Sequence, residues 1–185
     1  MDVVCELFGV FVTCAGGDGS KYKRETKKAF TKMCSEIYSP PRITKALSGL
    51  PGHPLVPGFA LDLTCVDEED GQPWDFDRKD KRTKALELVR QHKPLFVVLS
   101  PACTAWCSWQ QLNNTRRPPD QVQRDKVAAL VHLKFAMDIC REQINGGRYF
   151  LFEHPRAASS WGEDAVQEVL QVPEVKLITA DQCQF

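Results

Sequence analysis

The chain has 185 residues, enough for one domain with a sizeable core. Its 24 basic and 24 acidic residues cancel, so no global charge directs it to nucleic acid or to an anionic membrane surface. No apolar run reaches the length of a membrane span, and the start MDVVCELFGVFVTCAGG lacks the basic n-region of a signal peptide; an intracellular setting, nucleus or cytoplasm, is expected.

Residues 1–34 form an N-terminal stretch of no evident role. Within it VVCELFGVFVTC reads as a strand broken by GGDGS, and KYKRETKKAFTKMC as a basic helix face with Phe30 and Met33 at helical spacing. From Glu36 the pattern becomes regular. EIYS ends at Pro40-Pro41, RITKALSGL reads as a short helix closed by Gly49, and GFALDL as a strand ending in Asp62. DEEDGQP is an acidic turn. DFDRKDKRTKALELVRQH reads as a helix with Asp77 as N-cap and Ala85, Leu86 and Val89 on one face. PLFVVLS is a fully apolar strand. A polar loop with Pro118-Pro119 leads into the long helix DQVQRDKVAALVHLKFAMDIC. RYFLF is a strand ending at Glu153, WGEDAVQEVLQV a helix and VKLITA a last strand.

Strands and helices alternating at this spacing predict an α/β fold with a mostly parallel sheet. Ligands of such sheets sit beyond the carboxyl ends of the strands. Asp62, Ser100 to Cys103 and Glu153 to Pro155 all fall at those ends. There an acidic residue such as Asp62 suits ribose hydroxyls, and Trp74-Asp75 suits stacking on an adenine and accepting from its amino group. Each also has a plainer use: Asp62 caps a helix, and Trp74 fills core.

Eight cysteines, at 5, 14, 34, 65, 103, 107, 140 and 183, lack the paired spacing of a zinc site, so no metal is expected. Without a secretion signal they read as reduced thiols. Cys103 and Cys107 lie four apart, a spacing that shares a helix face. The plain reading of Cys103 is a small buried residue; its place at a strand end favours a site.

The order and spacing of EIYSPPR, ALDL, WDF, SPACT and FEHP resemble the DNA (cytosine-5) methyltransferases. They are more similar still to methyltransferase-like segments within retrotransposon polyproteins of protists. The resemblance covers about residues 35–185, a partial methyltransferase-like domain that looks C-terminally incomplete, with fewer strands than the family's sheet. It implies a Rossmann-like methyltransferase sheet with helices on both faces, S-adenosylmethionine as cofactor and nucleic acid as substrate. Cys103 matches the family's nucleophile and Glu153 its glutamate. The thiolate would attack cytosine at its sixth position, so that the fifth takes the methyl group, while Glu153 holds and protonates N3. The substrate base must leave a duplex to reach such a site. A helix N-terminus or Arg156 would lower the thiol pKa. The cofactor residues implied are Tyr38, Ser39 and Pro40 of the EIYSPPR turn, then Asp62, Trp74, Asp75, Ser100 and Pro101. The first helical turn after that segment would approach the ligand. His154 and Trp161 read as packing or loop-shaping residues, and Arg116 and Arg117 as phosphate contacts or a solvated loop.

This chain departs from the family at three places. Ala102 replaces the proline before the cysteine, His154 replaces an asparagine that shapes the cysteine loop, and Pro-Pro-Arg stands where the cofactor turn has glycines. The glycines of CAGGDG lie too far before ALDL for a βαβ unit of about 30 residues. A second expectation follows from these departures: a non-catalytic, methyltransferase-derived module of a mobile-element polyprotein.

Overall fold

In the computed structural model, residues 10–14 and 32–180 are described. Six strands form one sheet in the order β3-β2-β4-β5-β1-β6. These are β1 (Val10–Cys14), β2 (Met33–Ile37), β3 (Val56–Leu61), β4 (Phe96–Leu99), β5 (Tyr149–Glu153) and β6 (Val175–Thr179). β3, β2, β4 and β5 run parallel to one another. β1 lies antiparallel between β5 and β6 and pairs with both. The fold is thus α/β with a four-stranded parallel core. Residues 10–14 share its sheet.

The helices are α1 (Ile43–Ser48), α2 (Lys79–His92), α3 (Ser108–Asn114), α4 (Pro119–Asn145) and α5 (Asp164–Leu170). Because side chains alternate along a strand, the parallel core buries two faces. Cys34, Val98 and Leu151 pack with Leu47 on the α1 side. Ile37, Val97, Leu99, Phe150 and Phe152 pack with Val89, Phe135, Ile139 and Val169 on the side of α2, α4 and α5. Helices therefore cover both faces. No helix among the described residues is long and apolar enough to cross a membrane.

Three local expectations are corrected. Met33 opens β2 and is not on a helix face, because the strand's pairing with β3 and β4 on either side outweighs the local spacing; residues 21–31 of that basic stretch lie outside the described residues. Asp77 does not cap α2: Arg78 holds the N-cap position with no side-chain bond, and the Asp77 carboxylate reaches His132. Cys103 and Cys107 do not share a helix. They bracket a short 3-10 turn, Thr104–Trp106, and Cys107 then caps α3 by accepting the Gln110 N–H.

Candidate functional site at the carboxyl ends of the strands

β2, β4 and β5 end side by side. Ile37 is paired with Leu99 and Leu99 with Phe152, so Ser100 and Glu153 follow one step beyond. Alternation puts Glu36, Val98 and Ser100 on the α1 side of the sheet together with Glu153. A cavity of about 200 Å³ opens there, lined among others by Glu36, Tyr38, Ser39, Pro40, Ser100 and Glu153. Five of the residues singled out in the sequence therefore share one cavity wall.

Glu36 was not among them. It is fully buried, and its carboxylate takes four donors: Ser39 Oγ at 3.1 Å, the Arg42 N–H at 3.3 Å, the Thr44 N–H at 2.7 Å and Thr44 Oγ1 at 2.8 Å. An acidic side chain inside a strand is costly unless so paired. That isolated charge in MCSEIYS was the available signal. The consequence is chemical: two of the N–H groups that open α1, those of Arg42 and Thr44, are spent on the protein's own carboxylate. Arg42 and Ile43 of this helical turn still line the cavity, as expected of it, with those two N–H groups already occupied.

The chain leaves β2 through Tyr38, whose φ of 66° is left-handed. Such a backbone costs a tyrosine about 1–3 kcal/mol and needs holding by its surroundings. The Tyr38 N–H donates to the Leu61 carbonyl, and the ring packs 4.7 Å from that of Phe76.

Cys103 stands three residues beyond Ser100, half-buried. Its carbonyl accepts from the Trp106 and Cys107 N–H groups at 2.9 and 3.1 Å, which winds the loop into a tight turn. His154, immediately after Glu153, is buried and bridges the two strand ends. Nε2 donates to the Pro101 carbonyl at 3.2 Å and Nδ1 accepts from Ser160 Oγ at 2.6 Å. Ser159 Oγ adds a bond to the Trp106 carbonyl, and Trp161 Nε1 donates to the Pro155 carbonyl. The loop-shaping roles read for His154 and Trp161 match these contacts.

Burial dominates the electrostatics here. It pushes the Cys103 thiol above its ordinary value, and the nearby Cys107 and Glu153 push it the same way. Burial also raises the Glu153 carboxyl. It lowers His154 to about 4 against the opposing bond to Pro101. The expected lowering of the thiol by Arg156 or a helix N-terminus is therefore corrected: Arg156 is exposed, and desolvation of the thiolate outweighs the bond from Cys103's own backbone N–H.

The remaining predicted residues stand apart from this cavity. Pro101 is buried and serves as the acceptor for His154. The Asp62 carboxylate accepts from the Thr64 N–H and hydroxyl, closing a turn. The Asp75 carboxylate accepts the Asp77 N–H in the same way. Trp74 is 5 % exposed, with the ammonium groups of Lys81 and Lys84 5.0 and 5.4 Å from its ring centroid. Its ring face is covered. A second cleft of about 330 Å³ lies between the Cys103 loop, α3 and α4, walled by Ala102, Thr104, Gln110, Lys126 and His132. No cluster of metal-ligating side chains occurs among the described residues. Comparison with family models, with curated proteins and with solved structures finds no match to this chain.

Proposed function

We propose that the chain carries a Rossmann-like methyltransferase sheet, and that its strand-end site performs methyl transfer to cytosine in nucleic acid. Cys103 is the nucleophile and Glu153 the acid. The observation that carries this reading is the convergence of a half-buried thiol and a half-buried carboxyl at adjacent strand ends, both raised by desolvation, with His154 tying the two loops together. A carboxyl that burial holds above its ordinary value keeps its proton to higher pH, and in that form it donates to N3 of a cytosine, offsetting the charge that develops when the Cys103 sulfur bonds to C6. Cys103 must lose its proton for that step, and His154, buried and engaged at both nitrogens, is no base for it.

S-adenosylmethionine, when bound, supplies an electrophilic methyl group. The cavity at Tyr38, Ser39, Ser100 and Glu153 suits its methionine end, with Arg42 on the rim for a carboxylate. Among the described residues, those expected to hold the adenosine end are otherwise engaged: Trp74 is covered and the Asp62 and Asp75 carboxylates close turns. That covered ring, with the carboxylate already seated on α1, favours a second reading: a non-catalytic module derived from a methyltransferase and serving in a mobile-element polyprotein.

Trapping with an oligonucleotide containing a mechanism-based cytosine analogue separates the two. The catalytic reading expects a covalent adduct that needs S-adenosylmethionine, disappears in Cys103→Ser, and forms faster as pH rises, since a raised thiol pKa leaves little thiolate at neutral pH. Absence of any adduct between pH 7 and 9 gives the molecule to the second reading. Equal trapping by Cys103→Ser removes this cysteine from the chemistry.

A further inference from the structure

The hydroxyl of Tyr38 does not end in the cavity. It lies 3.0 Å from His132 Nδ1, and His132 Nε2 lies 2.8 Å from Asp77 Oδ1. Three side chains from the end of β2, the middle of α4 and the turn before α2 thus form one chain, over sequence separations of 94 and 55 residues. Its polarity follows from the inventory of donors. A carboxylate only accepts, so Nε2 carries a proton; Nδ1 is then the acceptor for the tyrosine hydroxyl in the neutral ring. Burial holds the Tyr38 phenol protonated, as this arrangement requires.

The outer end of the chain is itself pinned. The Asp75 carboxylate accepts the Asp77 N–H at 2.9 Å, and the Arg82 guanidinium donates to the carbonyls of Phe76 and Asp77 at 2.5 and 2.8 Å. The WDFD turn therefore presents Asp77 to His132. At the inner end, Tyr38 has a left-handed backbone and lines the strand-end cavity, between Phe76 and Phe135. A phenylalanine would fill that aromatic slot without burying a hydroxyl. The hydroxyl's use is to lock the ring's orientation and, with it, an otherwise unfavourable backbone at the cavity wall.

We propose that Asp77 and His132 are positioning residues for the cavity, acting through Tyr38, which forms its wall. The proposal rests on reading the cavity as the methyl-donor site. His132 also borders the cleft under the Cys103 loop, so the chain stands between the two spaces that a donor and an acceptor base would occupy.

Titration of S-adenosylhomocysteine into the full chain tests it. Tyr38→Phe keeps the ring and removes the hydroxyl's contacts to His132 Nδ1 and to the His132 carbonyl at 3.4 Å; it is expected to weaken binding about ten-fold with the melting temperature little changed. His132→Ala should weaken it similarly, and the double variant no further than the worse single, because the members act as one unit. Wild-type affinity in Tyr38→Phe, or additive losses, overturns the proposal. If the wild type takes up no S-adenosylhomocysteine, the donor-site reading fails, and the imidazole decides the chain by nitrogen NMR. A neutral His132 protonated at Nε2, whose Nδ1 resonance moves in Tyr38→Phe, supports it; protonation at Nδ1, or no response, overturns it.

Discussion

At the scale of single residues, the site is governed by what burial does to three titratable groups in a row of loops. His154 shows it most clearly, because both its nitrogens are engaged and its pKa falls to about 4 from 6.5. Between those values the unfolded chain binds a proton that the folded protein refuses. The stability held by neutral His154 is therefore complete above about pH 6.5 and is lost as pH falls toward 4, by about 3 kcal/mol at most. Glu153 acts in the opposite sense: its raised carboxyl contributes stability at low pH that is lost as pH rises through the folded value. Denaturant midpoints of the wild type and of His154→Gln isolate the histidine. The variant, which keeps a donor near the place of Nε2, should show a flatter decline between pH 6.5 and 4. An unchanged slope would mean that His154 is not buried neutral against Pro101.

At the scale of elements, sequence reading succeeded where the physics is local. β4 and β5 are short apolar runs buried on both faces, and α1 stops at Gly49 as a helix C-cap predicts. It failed where the deciding partner is distant. Asp77 looked like a cap because its use depends on a histidine 55 residues away. Met33 looked helical because its partner strands lie later in the chain. Trp74 looked available because the lysines that cover it follow in α2. Gly58 in β3 also has its deciding partners far away in sequence, beside the register shift between Cys34 and Glu36. A Cβ there would come within 2.5 Å of Met33 Cγ and 2.9 Å of the Cys34 carbonyl, and would also strike Ser35 Oγ. Gly58→Ala is expected to cost about 1–3 kcal/mol by equilibrium unfolding, since a backbone carbonyl cannot step aside. Adding Ser35→Ala should recover only part of that. The hydroxyl is buried and has no hydrogen-bond partner among the described residues, so its removal alone is nearly free. Full recovery in the double variant would show that the hydroxyl alone made the close approach.

At the scale of the molecule, the strand-end site depends on a segment far from it in sequence. β5 carries Glu153, and its free edge is closed by β1, with Phe11 opposite Glu153 and Val12 opposite Phe152. β6 joins the sheet, among the described residues, only through β1. A strand between two others donates and accepts on both sides and tolerates no missing N–H. Val12 stands in the middle of β1, opposite Phe152 on one side and Leu177 on the other. Val12→Pro removes a ladder donor and sets a ring against a neighbouring strand, so β1 should leave the sheet. β5 would then become an edge with unpaired backbone beside Glu153, and β6 would lose its attachment. The expected result, read by hydrogen exchange, is loss of amide protection in 150–153 and 175–179 while β2 and β4 stay protected, with a tendency to associate through the new edge. Protection of β5 and β6 equal to the wild type would place β1 outside the sheet, and the residues carrying the site would then fold without the N-terminal strand.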